Sequence, residues 1–136
     1  MISSHTISVV MPVYNDAPFL NEAIDSILNQ TFEDFELIII NDASTDKSAE
    51  IISRFKDKRI ILLNNQENSG ISKSLNRGID ISNGKYIARI DGNDVALPNR
   101  LNVQYKFIKK IFSYFFNIFN TIIFMLSIFS SDNLWC

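Results

Sequence analysis

The sequence predicts an α/β fold: a doubly wound, mainly parallel sheet with helices on both faces, followed by a hydrophobic C-terminal helix. Three observations predict it. Strand-like apolar runs alternate with helical patterns from Thr6 to Ile90. The runs TISVVM, ELIII and RIILL are apolar throughout, as strands covered on both faces are. The connections between runs are short, which suits strand–helix–strand units and right-handed crossovers.

Each element follows from its residues. Thr6 to Met11 reads as a first buried strand, stopped by Pro12. Asp16 is placed to cap a helix with Pro18 in its first turn, and Leu20, Ala23, Ile24, Ile27 and Leu28 form its apolar face. Glu36 to Ile40 is a second strand ending in Asn41-Asp42; Ser44-Thr45-Asp46 then caps a helix with Ile51, Ile52 and Phe55 inward. Arg59 to Leu63 is the third strand, and Asn64 to Gly70 a polar loop of turn formers. Ile71, Leu75 and Ile79 mark the inward face of a third helix, closed by Asn83-Gly84. Tyr86 to Ile90 is the fourth strand; it runs into the acidic turn Asp91-Gly92-Asn93-Asp94, and another helix starts behind Pro98.

Composition bounds the function. With 136 residues the chain can bury a core without staples, and its net charge of −2 gives no general attraction to nucleic acid. The single cysteine, Cys136, allows no intrachain disulfide, so a reducing, cytoplasmic setting is expected. The N-terminus has neither the basic nor the long apolar region of a signal peptide. Composition shifts near residue 107: seven of the eleven phenylalanines lie beyond Lys106, and 111–131 carries no charge. The expected division is therefore 1–106 as a globular unit and 107–136 as a hydrophobic tail.

Ligands of doubly wound sheets sit beyond the carboxyl ends of the strands. The turn after the first strand, MPVYND, has no glycine, which disfavours a dinucleotide fingerprint. The sequence has no phosphate-binding G-x-x-x-x-G-K-[ST] run and no G-x-S-x-G elbow, and its one histidine, His5, precedes the first strand. What remains is carboxylates after the second and fourth strands and an aromatic loop after the first. That set suits a nucleoside diphosphate, with a cation bridging its phosphates.

The segments ISVVMPVYND, AIDSILNQTFEDFELIIINDASTD, NSGISKSLNRGIDISNGKYIARIDGND and LPNRL, in that order and spacing, resemble the N-terminal half of an inverting family 2 glycosyltransferase of the GT-A fold, a Rossmann-like half-domain. The resemblance implies transfer of a sugar from a nucleotide-diphosphate donor, a UDP- or dTDP-sugar, to an unidentified acceptor in surface polysaccharide or lipid-linked sugar synthesis. It assigns Pro12, Tyr14 and Asn15 to the base and ribose, Asp42 to the uracil ring, and Asp91-Gly92-Asn93 to the ribose and to Mg²⁺ or Mn²⁺ on the diphosphate. Lys73 is a further candidate for a phosphate contact. The family's motif ends in Asp where this chain has Asn93; Asn keeps one neutral oxygen ligand and loses a charge, so cation affinity is expected to fall unless Asp94 substitutes.

The resemblance stops near Lys106. After Asp94 the one carboxylate side chain is Asp132, and such enzymes take their general base from a following acceptor half. The alternative reading is thus a catalytically incomplete unit that holds the donor and transfers nothing. Three readings of the tail stay open: a membrane span over 111–129, with Lys106, Lys109 and Lys110 on the cytoplasmic side; a buried helix; and a truncated or out-of-frame end.

Overall fold

A computed structural model describes the backbone of residues 5–131 and the side chains of residues 5–119. It divides into two compact units, Met1–Leu101 and Asn102–Cys136. In the first, β1 (His5–Val13), α1 (Ala17–Leu28), β2 (Phe35–Asn41), α2 (Ser48–Arg54), β3 (Ile60–Asn64), α3 (Ile71–Asp80) and β4 (Gly84–Arg89) follow in sequence, and α4 (Arg100–Ser131) begins at its end. The strands form one parallel sheet in the order β3-β2-β1-β4. The chain steps outward from β1 to β3, then returns to lay β4 on the other side of β1. Right-handed crossovers therefore place α1 and α2, which touch each other, on one face; α3 lies against β1 and β2 from the opposite face.

Register sets the rim. Val13, Asn41 and Asn64 are aligned across β1, β2 and β3, so the loops that follow leave the sheet at one level. Val10, Ile38 and Ile40 form the core cluster on the α3 side, with Ile61, Leu63 and Leu75 packed on it. On α1, Leu20, Ala23, Ile24 and Ile27 are fully buried.

β1 runs on through Pro12 to Val13, where Pro12 was expected to stop it. The reason is directional. Val10 presents its carbonyl to the Ile90 N–H, on the β4 side, and Val13 presents its carbonyl to Asp42, on the β2 side. By alternation Pro12 faces the β4 side, beyond the last residue of β4, where no ladder bond needs its missing N–H. Gly84 likewise opens β4 and donates its N–H to Ser8 Oγ at 2.7 Å; α3 ends at Asp80, with Ile81 at the C-cap position, without it.

α3 presents a different face from the one its aliphatic residues suggest. Ile71 and Ile79 are 50% and 45% exposed, while Ser74 and Gly78 are buried beside Leu75. A Cβ at Gly78 would stand 2.5 Å from Val10 Cγ1 and 2.7 Å from Ile40 Cδ1, so only glycine lets the helix lie this close to the sheet. Seating Ser74 and Gly78 against the strands rotates the aliphatic stripe partly outward.

Gln30, 5% exposed, fastens the chain after β4 to the end of α1. Its Nε2 donates to the Leu97 carbonyl at 2.7 Å and its Oε1 accepts from the Leu101 N–H at 3.0 Å. The Thr31 N–H to the Pro98 carbonyl and the Ala96 N–H to Ser26 Oγ complete the clip. In the second unit, no helix among the described residues is long and apolar enough to cross a membrane. The stretch 111–129 read as a span extends past Phe119, and its remaining side chains, with Asp132, lie outside the described residues.

Gly78→Ala is expected to cost about 1–3 kcal/mol through overpacking between α3 and the sheet. Urea unfolding checks this: a lowered midpoint is the expected result, and an unchanged one contradicts the close helix–sheet contact.

Candidate functional site

The carboxyl ends of β1, β2 and β4 and the start of α3 enclose a crevice of about 320 Å³. Pro12, Tyr14, Asp42, Asp91 and Asn93, all singled out from the sequence, line it. The sheet order explains how residues so far apart in sequence meet: β1 is flanked by β2 and β4, and the crevice opens where the chain direction across the sheet reverses.

Asp42 is 3% exposed, and its carboxylate organises one wall. Oδ1 accepts from Asn65 Nδ2 at 2.5 Å and from the Ser69 N–H and Oγ at 3.0 Å; Oδ2 accepts from the Gly70 N–H at 2.8 Å. Burial alone would raise its pKa, but the bonds from Asn65, Ser69 and Gly70 outweigh it and hold the value at about 2. Arg77 binds Asn65 Oδ1 and the Asn64 carbonyl, which fixes the Asn65 amide with its N–H end toward Asp42. A carboxylate has about four acceptor positions. Oδ1 is saturated, and Oδ2 keeps capacity for one more donor from the crevice.

The loops after β1 and β2 brace each other. Asn15 adopts a φ of 56°, and its Oδ1 accepts the Thr45 N–H at 2.8 Å and the Asp46 N–H at 3.3 Å. Asn15 is therefore a brace and is absent from the crevice lining. Asp46 takes over the capping expected of Asp16: its Oδ2 accepts the Ala17 N–H at 3.0 Å and its Oδ1 the Ser48 N–H at 2.9 Å, serving the first turns of α1 and α2 together. Asp16 stands at the N-cap position of α1 but turns its carboxylate to the Tyr14 N–H and lines the crevice. Burial raises its pKa against the opposing Tyr14 bond, with the charges of Asp46 and Asp91 adding to the rise.

The turn after β4 supplies the other wall. Asp91 is gripped by Arg89: Nε donates to Oδ1 and Nη2 to Oδ2, each at 2.9 Å. Gly92 is buried, and a Cβ there would lie 2.6 Å from Asp16 Oδ2, so glycine lets the acidic turn close against the β1 loop. Asn93 is exposed at the mouth of the crevice. Lys73 is exposed on α3 and does not line it, and neither does Asp94.

The profile of Glycosyl transferase family 2 matches residues 8–120. The chain belongs to this family. A glycosyltransferase of Methanocaldococcus jannaschii, itself uncharacterized, is 47% identical over 107 residues, covering 76% of this chain and 37% of the relative. GlyG of Streptococcus pneumoniae is 36% identical over 105 residues, covering 76% and 35%. Among solved structures, S. aureus TarS in complex with UDP-GlcNAc superposes with a TM-score of 0.73 at 26% identity, over 77% of this chain and 31% of TarS. The mannosyltransferase PcManGT of Pyrobaculum calidifontis, in complex with GDP-Man and Mn²⁺, gives 0.63 at 25% identity, over 67% and 28%. The fold is thus GT-A-like, and the chain spans about a third of the length of these relatives.

Asn68, Gly70, Ile71 and Ser74 also line the crevice; the sequence offers 64–72 as a strand-end segment open to a ligand but reads Asn68-Ser69-Gly70 as turn chemistry and gives these residues no binding role. A signal was present: a glycine at the start of a helix, here with φ of 86°, leaves backbone N–H groups free to reach a carboxylate. Which carboxylate they reach depends on β2 and β3 being neighbours, which the local sequence does not state.

The Asp42 network fixes a pH dependence. Its folded pKa of about 2 lies below an unfolded value of about 3.9, so its contribution is complete above pH ~4 and is lost as pH falls through about 2. By that shift it is worth on the order of 2–3 kcal/mol. Asp42→Asn is expected to lower the unfolding free energy at pH 7 and to flatten its fall between pH 4 and 2. Equal slopes for the two proteins in that window contradict the network.

Proposed function

We propose that this chain is the donor-binding part of a sugar transferase and that its crevice holds a UDP-sugar, with Mg²⁺ or Mn²⁺ on the diphosphate. The observation that carries the reading is the convergence of Tyr14, Asp42, Asp91 and Asn93 on one crevice at the switch point of the sheet. Tyr14, 47% exposed, offers a ring face for the base. The remaining acceptor position on Asp42 Oδ2 suits the N3–H of uracil, while cytosine, with a bare N3, would place lone pair against carboxylate. Pro12 flanks the base, and Asn15 supports Tyr14 through the braced loops. TarS, bound to UDP-GlcNAc, supports uracil over guanine by its higher structural similarity.

The residues fit a cation held jointly by protein and nucleotide. Among the described residues no cluster of three or more His, Cys, Asp or Glu could hold a metal unaided. A small divalent cation bound through one or two protein oxygens completes its shell with substrate phosphates and water. Asp91 and Asn93 would hold it, and its chemistry there is to neutralise the departing diphosphate. Lys73, outside the crevice lining, has no phosphate role in this reading.

A second reading has a specific observation in its favour. From Val95 onward the sequence carries one carboxylate side chain, Asp132, so a general base for the acceptor hydroxyl is sparse here. Loss of such a base costs typically ~10²–10⁴-fold. In that reading the chain binds the donor and a further domain deprotonates the acceptor.

Calorimetric titration tests the proposal: UDP with Mn²⁺ is expected to bind, and CDP at least about tenfold more weakly. No heat from UDP at millimolar concentration overturns it, and tighter GDP than UDP overturns the base assignment. Asn93→Asp is expected to tighten Mn²⁺-dependent UDP binding; an unchanged affinity removes Asn93 from the cation site.

A further inference from the structure

The grip of Arg89 on Asp91 has no place in the function just proposed. The guanidinium covers both carboxylate oxygens in a two-point fork, each bond 2.9 Å, which is the strongest geometry such a pair adopts. The strand that carries Arg89 is also fixed in place: Arg100 Nη2 donates to the Arg89 carbonyl at 2.7 Å.

We propose that Arg89 stands in for the divalent cation at Asp91. The inference rests on the donor-site reading. The fork engages both oxygens a cation would use and compensates the charge that would repel a diphosphate. A cation at Asp91 competes with Arg89 for the charge on both oxygens, and with Asn93 neutral, Asp94 is the one other carboxylate in the turn to offset that cost. A diphosphate arriving first meets a compensated carboxylate instead of a bare one. Asp16 and Asp42 sharpen the point, since they bring the carboxylates lining the same crevice to three. Arg89 therefore weakens binding of the cation alone and strengthens binding of the nucleotide alone.

These opposite effects separate the proposal from a structural role, because a damaged site would weaken both ligands. The test is calorimetry with MnCl₂ alone, UDP alone and UDP with saturating MnCl₂, on the full chain and on Arg89→Gln. Relative to the unaltered chain, Arg89→Gln is expected to bind Mn²⁺ alone about threefold to tenfold more tightly and UDP alone more weakly by a similar factor. Binding of UDP with Mn²⁺ should be retained. Arg89→Lys keeps the charge without the fork; it should fall between the two and serves if Arg89→Gln does not fold. Mn²⁺ affinity that is unchanged or reduced in both variants overturns the role of Arg89 while leaving the donor site intact. If no UDP binds to the unaltered chain with or without Mn²⁺, the donor-site reading fails, and this inference fails with it.

Discussion

A buried carboxylate must be satisfied, and the satisfaction of Asp42 shapes much of this molecule's upper rim. At 3% exposure an unpaired charge would cost several kcal/mol. The protein meets that demand by folding the loop between β3 and α3 back over the end of β2, so that Asn65, Ser69 and Gly70 all point at one group. This places the N-terminus of α3 beside the crevice. It also requires α3 to lie close to the sheet, which Gly78 allows. A polar constraint at the rim and a steric one in the core thus fix the same helix.

The opposite side of the crevice follows a related logic. Asp46 serves two helix starts, Asn15 ties the β1 loop to the β2 loop, and Gly92 lets the acidic turn approach Asp16. Gln30 anchors the segment behind that turn. The loops that would touch a ligand are therefore supported by side chains that do not. Such support is what a binding site needs if its geometry is to exist before the ligand arrives.

Much of this was legible in the sequence. The strands were visible because TISVVM, ELIII and RIILL are apolar throughout, and their parallel, doubly wound arrangement because strands alternate with helices over short connections; the strand order was not. Tyr14, Asp42, Asp91 and Asn93 were visible as chemically apt residues at strand ends, and a family resemblance gave them expected roles. The extent of β1 was not legible, because whether Pro12 breaks a strand depends on which neighbour its nitrogen would face. The inward face of α3 was misread because periodicity weighs Ile71 and Ile79 and cannot see that Ser74 and Gly78 permit a closer approach. Asp16 lost its expected capping part to Asp46 for the same reason: a cap is decided by which loop lies nearby, and Asp46 came from another loop.

The central claim is that one nucleotide diphosphate spans the crevice from Asp42 to Asp91. Hydrogen–deuterium exchange with UDP and Mn²⁺ tests it most directly. The account predicts slowed exchange confined to the backbone of 13–16, 68–71 and 91–94, with the N-terminal ends of the strands unchanged. Protection absent from these segments, or appearing at only one end of the crevice, would contradict it.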